Sequence, residues 1–182
     1  MKRTIITPAV LAPAALAELK QWLGISTPLD DAPLTALLRT ALEVCEGFTG
    51  TLPLQCALEE VLPASSAWQS LEARPVQSIT LVQGIPAEGA RYSLPVADYA
   101  IELDASGEGR VRVMNPGTAT RIAVRFIAGL APDWASLPES LRHGVLRLAA
   151  HQHRMRDDNA AAPLPPAAVA ALWRPWRRLR LA

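Results

Sequence analysis

Ser136-Leu137-Pro138-Glu139-Ser140-Leu141-Arg142-His143-Gly144-Val145-Leu146-Arg147-Leu148-Ala149-Ala150-His151-Gln152-His153-Arg154-Met155-Arg156-Asp157-Asp158 is the stretch whose reading decides how this chain folds. Ser136 and Glu139 have the Ser-x-x-Glu spacing of a capping box, and Pro138 falls in the first turn, where a missing N–H has no intrahelical partner to lose. Leu141, Val145, Leu148, Ala149 and Met155 recur at helical spacings and make one apolar stripe, while Arg142, Arg147, Arg154 and Arg156 occupy other faces. Burying each large side chain of such a stripe stabilises the fold by roughly 1.5–3 kcal/mol. The stretch therefore predicts a helix over 137–157 that anchors a core completed by earlier segments.

Two earlier segments have matching stripes. Leu16, Leu19 and Leu23 share a face behind Pro13 and before Gly24, which predicts a helix over 13–23. Asp30 or Asp31 caps a second helix over 31–48, whose apolar series Leu34, Leu37, Leu38, Ala41, Leu42, Cys45 and Phe48 stops at Gly50. No single pair of these helices covers all three stripes, so the helical core is expected to be discontinuous. Between them the period changes from 3.6 to 2. Residues 54–58, 76–82, 99–103, 110–113 and 122–127 alternate or run short and β-branched, punctuated by Gly84, Pro86, Gly89, Gly107, Gly109 and Asn115-Pro116-Gly117. The expected fold is α+β: a helical core from 1–50 and 129–158, an inserted antiparallel sheet or small barrel over 51–128, and a Pro-rich linker with a basic, aromatic tail over 159–182.

With 182 residues, half of them hydrophobic, the chain can bury a sizeable interior. No apolar run approaches the ~18–20 residues of a membrane span, and the start lacks a signal-peptide core, so synthesis in the cytoplasm is expected. Cys45 and Cys56 have no Cys-x-x-Cys spacing and read as reduced, buried thiols. The net charge of +1 is uneven, because residues 1–158 carry 14 basic and 17 acidic side chains whereas 159–182 carry four arginines and no acid.

Little in the sequence suggests chemistry. His143, His151 and His153 lack the i, i+4 spacing of a metal pair, and Asp30-Asp31 and Asp157-Asp158 sit at helix ends, where caps and turns explain them. There is no phosphate-cradling glycine loop, nucleophile elbow or His-Glu-x-x-His, and no catalytic residue, cofactor or metal is expected. The C-terminal cluster, Trp173-Arg174-Pro175-Trp176-Arg177-Arg178-Leu179-Arg180, has three readings. It could hold nucleic-acid backbone and stack bases, form a protein–protein hot spot, or fold back on the helices.

At this point the arrangement resembles the head-to-tail connector, or adaptor, proteins of long-tailed phages, and is most similar to the longer members found in prophages and gene transfer agents. The matching texts are Asp31-x-x-Leu34-x-x-Leu37-Leu38, Glu46-x-x-Thr49-Gly50, Arg74-Pro75-Val76-Gln77-Ser78-Ile79, Asp98-Tyr99, Ala128-Gly129, and Leu137-Pro138-Glu139-Ser140-Leu141-Arg142 leading into Ala149-Ala150-His151. They span roughly residues 8–158, and their order and spacing carry more than any one of them. After the histidine the family pattern continues as Tyr-x-x-Arg-Glu, whereas this chain reads His153-Arg154-Met155-Arg156-Asp157-Asp158.

The resemblance implies a structural virion protein, not an enzyme. It implies a ring of identical subunits, ~12 in number, in the neck between a portal protein and a tail-side stopper or tail terminator. Packaged double-stranded DNA would pass through the channel without sequence-specific binding. The related connectors use C-terminal segments on the portal, so Trp173, Arg174, Trp176, Arg177, Arg178 and Arg180 are the expected portal-binding residues. The competing expectation is a cytosolic nucleic-acid-binding protein that uses the same basic Trp/Arg tail.

Overall fold

A computed structural model describes residues 2–155 and 165–177. The chain forms two compact units, one from residues 2–9 with Gln55–Leu130 and one from Val10–Leu54 with the described residues from Ala131 on.

The first unit is antiparallel β structure. Its five-stranded sheet has the order β1 (Lys2–Thr7), β2 (Cys56–Pro63), β8 (Ala119–Ala128), β4 (Val76–Pro86), β5 (Tyr92–Ser93). A three-stranded sheet has the order β3 (Gln69–Ser70), β7 (Gly109–Val113), β6 (Tyr99–Leu103). Strand β8 is central because its Ile122, Ala123, Val124, Phe126 and Ala128 are all buried, a nearly continuous apolar run that needs cover on both faces. It sets Phe126 opposite Leu58 of β2 and Val124 opposite Val82 of β4. Register shifts along β4 mark bulges, which bend that strand. Both sheets are open, so the small-barrel alternative is corrected: two- and five-residue strands leave the sheets without closure.

Adjacent glutamates on β2 point to opposite faces and meet different environments. The Glu59 carboxylate accepts from Arg91 at 2.8 Å and from Arg125 at 2.9 Å. Burial works against its ionisation, but these two guanidinium groups outweigh it and hold Glu59 below the usual carboxylate range. Glu60 is fully buried and accepts the backbone N–H groups of Glu72 and Ala73. Burial prevails there and raises its pKa.

Residues 2–9 depart from the sequence reading, which assigns them to the helical core. Thr4-Ile5-Ile6-Thr7 is a run of four β-branched residues and extends the sheet by pairing with β2.

The second unit is helical: α1 (Pro13–Leu23), α2 (Asp31–Thr49), α3 (Glu139–Arg154) and α4 (Ala167–Trp173). The first three pack on one another, as their stripes require. Leu19, Leu34, Leu38, Ala41, Leu141, Val145 and Leu148 form the interior. Lys20 and Asp31 tie α1 to α2 at 2.6 Å, and the Trp134 indole donates to Glu18 at 3.2 Å. The two chain crossings into the β segment are joined by the Ala131 N–H, which donates to the Pro53 carbonyl at 3.1 Å.

Gly24 and Gly50 end their helices in the left-handed conformation, both at φ 71°. The expected side-chain caps at the helix starts are corrected. Asp30 occupies the N-cap of α2 as expected, but neither it nor Asp31 makes a side-chain cap hydrogen bond. Nor does a Ser136–Glu139 box form, because Pro138, not Ser136, occupies the N-cap, two residues too late for the serine hydroxyl to reach the helix. The Ser136 N–H instead donates to Asp133, whose pKa is lowered by that bond, and Glu139 pairs with Arg142 at 2.6 Å.

Candidate partner interface

The residues expected to meet a partner lie at the end of the helical unit, and the structure separates them into two kinds. Trp173, the last residue of α4, is fully buried. Its indole N–H donates to the Leu141 carbonyl at 3.3 Å, and its ring lies 6.1 Å from that of Phe48 on α2. Gly144 makes the approach feasible: a Cβ on that residue would overlap the indole of Trp173. One turn of 3₁₀ helix, Arg174–Trp176, then carries Trp176 back to α3, where its indole N–H donates to the Ser140 hydroxyl at 2.8 Å. Both tryptophans are thus engaged within their own unit.

Trp173 and Trp176 were expected to anchor in a portal, and each has a partner within its own chain. Trp173 is spent on the helical core, and Trp176 is partly covered. The reading in which the aromatics fold back on the helices is the one the geometry supports. Of the residues that receive them, Leu141 and Phe48 were read from the sequence as core positions only, and Ser140 and Gly144 were given no role. The available signal was Gly144, a glycine in the middle of a strong helical pattern, which costs ~0.5–1 kcal/mol unless something packs closely there.

The arginines behave differently. Arg174 and Arg177 are exposed, and Arg177 lies 5.5 Å over the Phe48 ring. Arg178 and Arg180 lie outside the described residues. The surface at this end is therefore cationic, laid on an aromatic base. Toward the other end of α3, Trp22, Arg147, His151, Arg154 and Pro166 line a cleft of about 270 Å³. His143 meets the Trp22 ring edge-on at 5.3 Å.

The three histidines make no metal site: among the described residues no three His, Cys, Asp or Glu side chains converge. Cys45 and Cys56 are both buried and form no disulfide with each other, and burial pushes the Cys45 thiol up to about 12. No helix among the described residues is long and apolar enough to cross a membrane.

No protein-family model and no curated protein matches the chain. Solved structures do. The neck of an empty gene transfer agent particle, computed with C6 symmetry, contains a chain 26% identical with a TM-score of 0.80, matched over 100% of this chain and 98% of that one. The virion of a native gene transfer agent particle contains one at 26% identity and a TM-score of 0.79, over the same shares. The neck of a native particle computed with C12 symmetry contains one at 27% and 0.77, again over 100% and 98%. These neighbours are structural parts of assembled particles. Over its whole length the chain has the fold of a gene transfer agent neck component, in agreement with the head-to-tail connector motifs in its sequence.

Proposed function

We propose that the chain is a structural head-to-tail connector of a gene transfer agent or phage particle, one of a ring of ~12 copies placed between portal and tail, with packaged DNA passing through the opening. The observation that carries this reading is the full-length match to particle-neck chains at TM-scores of 0.77–0.80 with 26–27% identity. Cyclic symmetry in those assemblies supports the ring. The described surface fits attachment through the C-terminal arginines: Arg174 and Arg177 are exposed, with Arg178 and Arg180 following, and guanidinium forks pair well with carboxylates of a portal. In this revised form Trp173 and Trp176 hold the segment in place, and the arginines make the contact.

The competing reading, a free nucleic-acid binder, loses its stacking platform, because Trp173 is buried and Trp176 is tied to Ser140. Particles purified from the producing host and dissected by mass spectrometry and electron microscopy test the proposal. The chain should be found in the neck in multiple copies, and its absence from purified particles would sink it.

A further inference from the structure

The ring requires two different, complementary patches on each subunit, since a cyclic assembly of more than two copies is joined head to tail. The β unit supplies a pair that meets this requirement. Its two open sheets have four edges. Two of these are two-residue strands, β5 and β3, too short to template another chain. The other two, β1 and β6, have six and five residues, and no described strand pairs with their outer sides.

Both long edges carry exposed apolar side chains where natural edges usually carry protection. On β1, Ile5 is 55% and Ile6 46% exposed; on β6, Ile101 is 45% and Leu103 43% exposed. Neither strand contains proline, and the irregularity in β1 lies beyond Ile5, leaving the preceding residues in regular register. Their charges differ in sign. Strand β1 opens with Lys2 and Arg3 and has no acid, while β6 contains Glu102, is followed by Asp104, and has no base.

Resting on the connector reading above, we propose that β1 of one subunit pairs antiparallel with β6 of the next copy of this chain, continuing one sheet into the other around the ring. The antiparallel sense sets the cationic start of β1 against the acidic end of β6 and brings the isoleucines of β1 to the apolar residues of β6. Backbone groups give this joint its hydrogen bonds, and the charges reject the pairings β1 to β1 and β6 to β6. A ladder limited by the five residues of β6 is small, which suits a ring that closes on a portal surface and not in dilute solution.

Cysteine cross-linking in assembled particles tests this. Thr4→Cys and Ala105→Cys place thiols on exposed residues in β1 and just after β6, while native Cys45 and Cys56 are buried. With a flexible bis-maleimide, the double variant should give a ladder of covalent multimers, and each single variant should stay monomeric. Dimers from either single variant, or a monomeric double variant in necks that contain the chain, would overturn the β1–β6 joint while leaving the connector reading intact. Absence of the chain from particles would overturn both. As a second measurement, Ile101→Lys on the exposed edge should keep the wild-type melting temperature and be lost from purified necks; normal incorporation counts against the joint.

Discussion

Gly144 is where one missing Cβ decides the placement of a whole segment. Alanine is the better helix former by ~0.5–1 kcal/mol, so on helix propensity alone Gly144→Ala would stabilise α3. The added methyl would overlap the Trp173 indole, and expelling that ring should cost roughly 1–3 kcal/mol, so the steric term wins. The variant should melt lower and show a red-shifted tryptophan emission; an unchanged or higher melting temperature would mean that Trp173 does not pack there. Glu60 offers a second test at this scale. Burial raises its pKa, so its contribution to stability is complete below the ordinary glutamate value and is lost as pH rises through the elevated one. Glu60→Gln keeps one acceptor but sets an amide N–H against a backbone N–H, at a cost of ~1–3 kcal/mol. Because only the wild type must ionise in a buried site, the stability gap should narrow as pH is raised through the titration. A gap independent of pH would show that Glu60 does not titrate in this way.

Among the elements, the three long helices were legible because their stripes and glycine stops are local, and the bounds of α1 and α2 match the expected ones to within a residue. Leu148 tests the stripe directly: it is fully buried on α3, so Leu148→Asp buries an unpaired carboxylate and should cost 4 kcal/mol or more, on the order of total stability, as read by denaturant unfolding. A variant with wild-type stability would remove α3 from the core. What the sequence hid depends on distant partners. Strand β1 pairs with residues 50 to 59 positions away, so its four β-branched residues alone did not outweigh the neighbouring helices. The capping box failed for a local reason, since Pro138 takes the N-cap and moves Ser136 out of range. The docking of Trp173 was not legible because composition reports an aromatic and arginine-rich segment but not that Gly144 and Phe48 leave a seat for that ring.

For the whole molecule, that seat changes what truncation should do. A tail joined to the body only by a linker could be removed without loss of stability. Here, deleting residues 165–182 removes Trp173 and Val169 from the interior of the helical unit and should cost roughly 3–5 kcal/mol, comparable to a Trp→Ala change in a core. Deleting only residues 178–182 spares both tryptophan hydrogen bonds, while removing Arg178 and Arg180 from the end that also carries Arg174 and Arg177. If these arginines attach the chain to a portal, the short deletion and the reversal Arg174→Glu with Arg177→Glu should both yield folded protein that fails to join filled heads. The charge balance makes the same experiment discriminating. Residues 1–158 are net acidic and all four arginines of 159–182 lie at or after position 174, so any affinity of the free protein for DNA that comes from this end should fall steeply with salt. A short deletion that still enters complete particles, yet loses a salt-sensitive affinity for free DNA, would reassign the arginines from the portal to the DNA in the channel. Loss of particle attachment without any measurable DNA affinity in the intact chain would keep them at the protein interface.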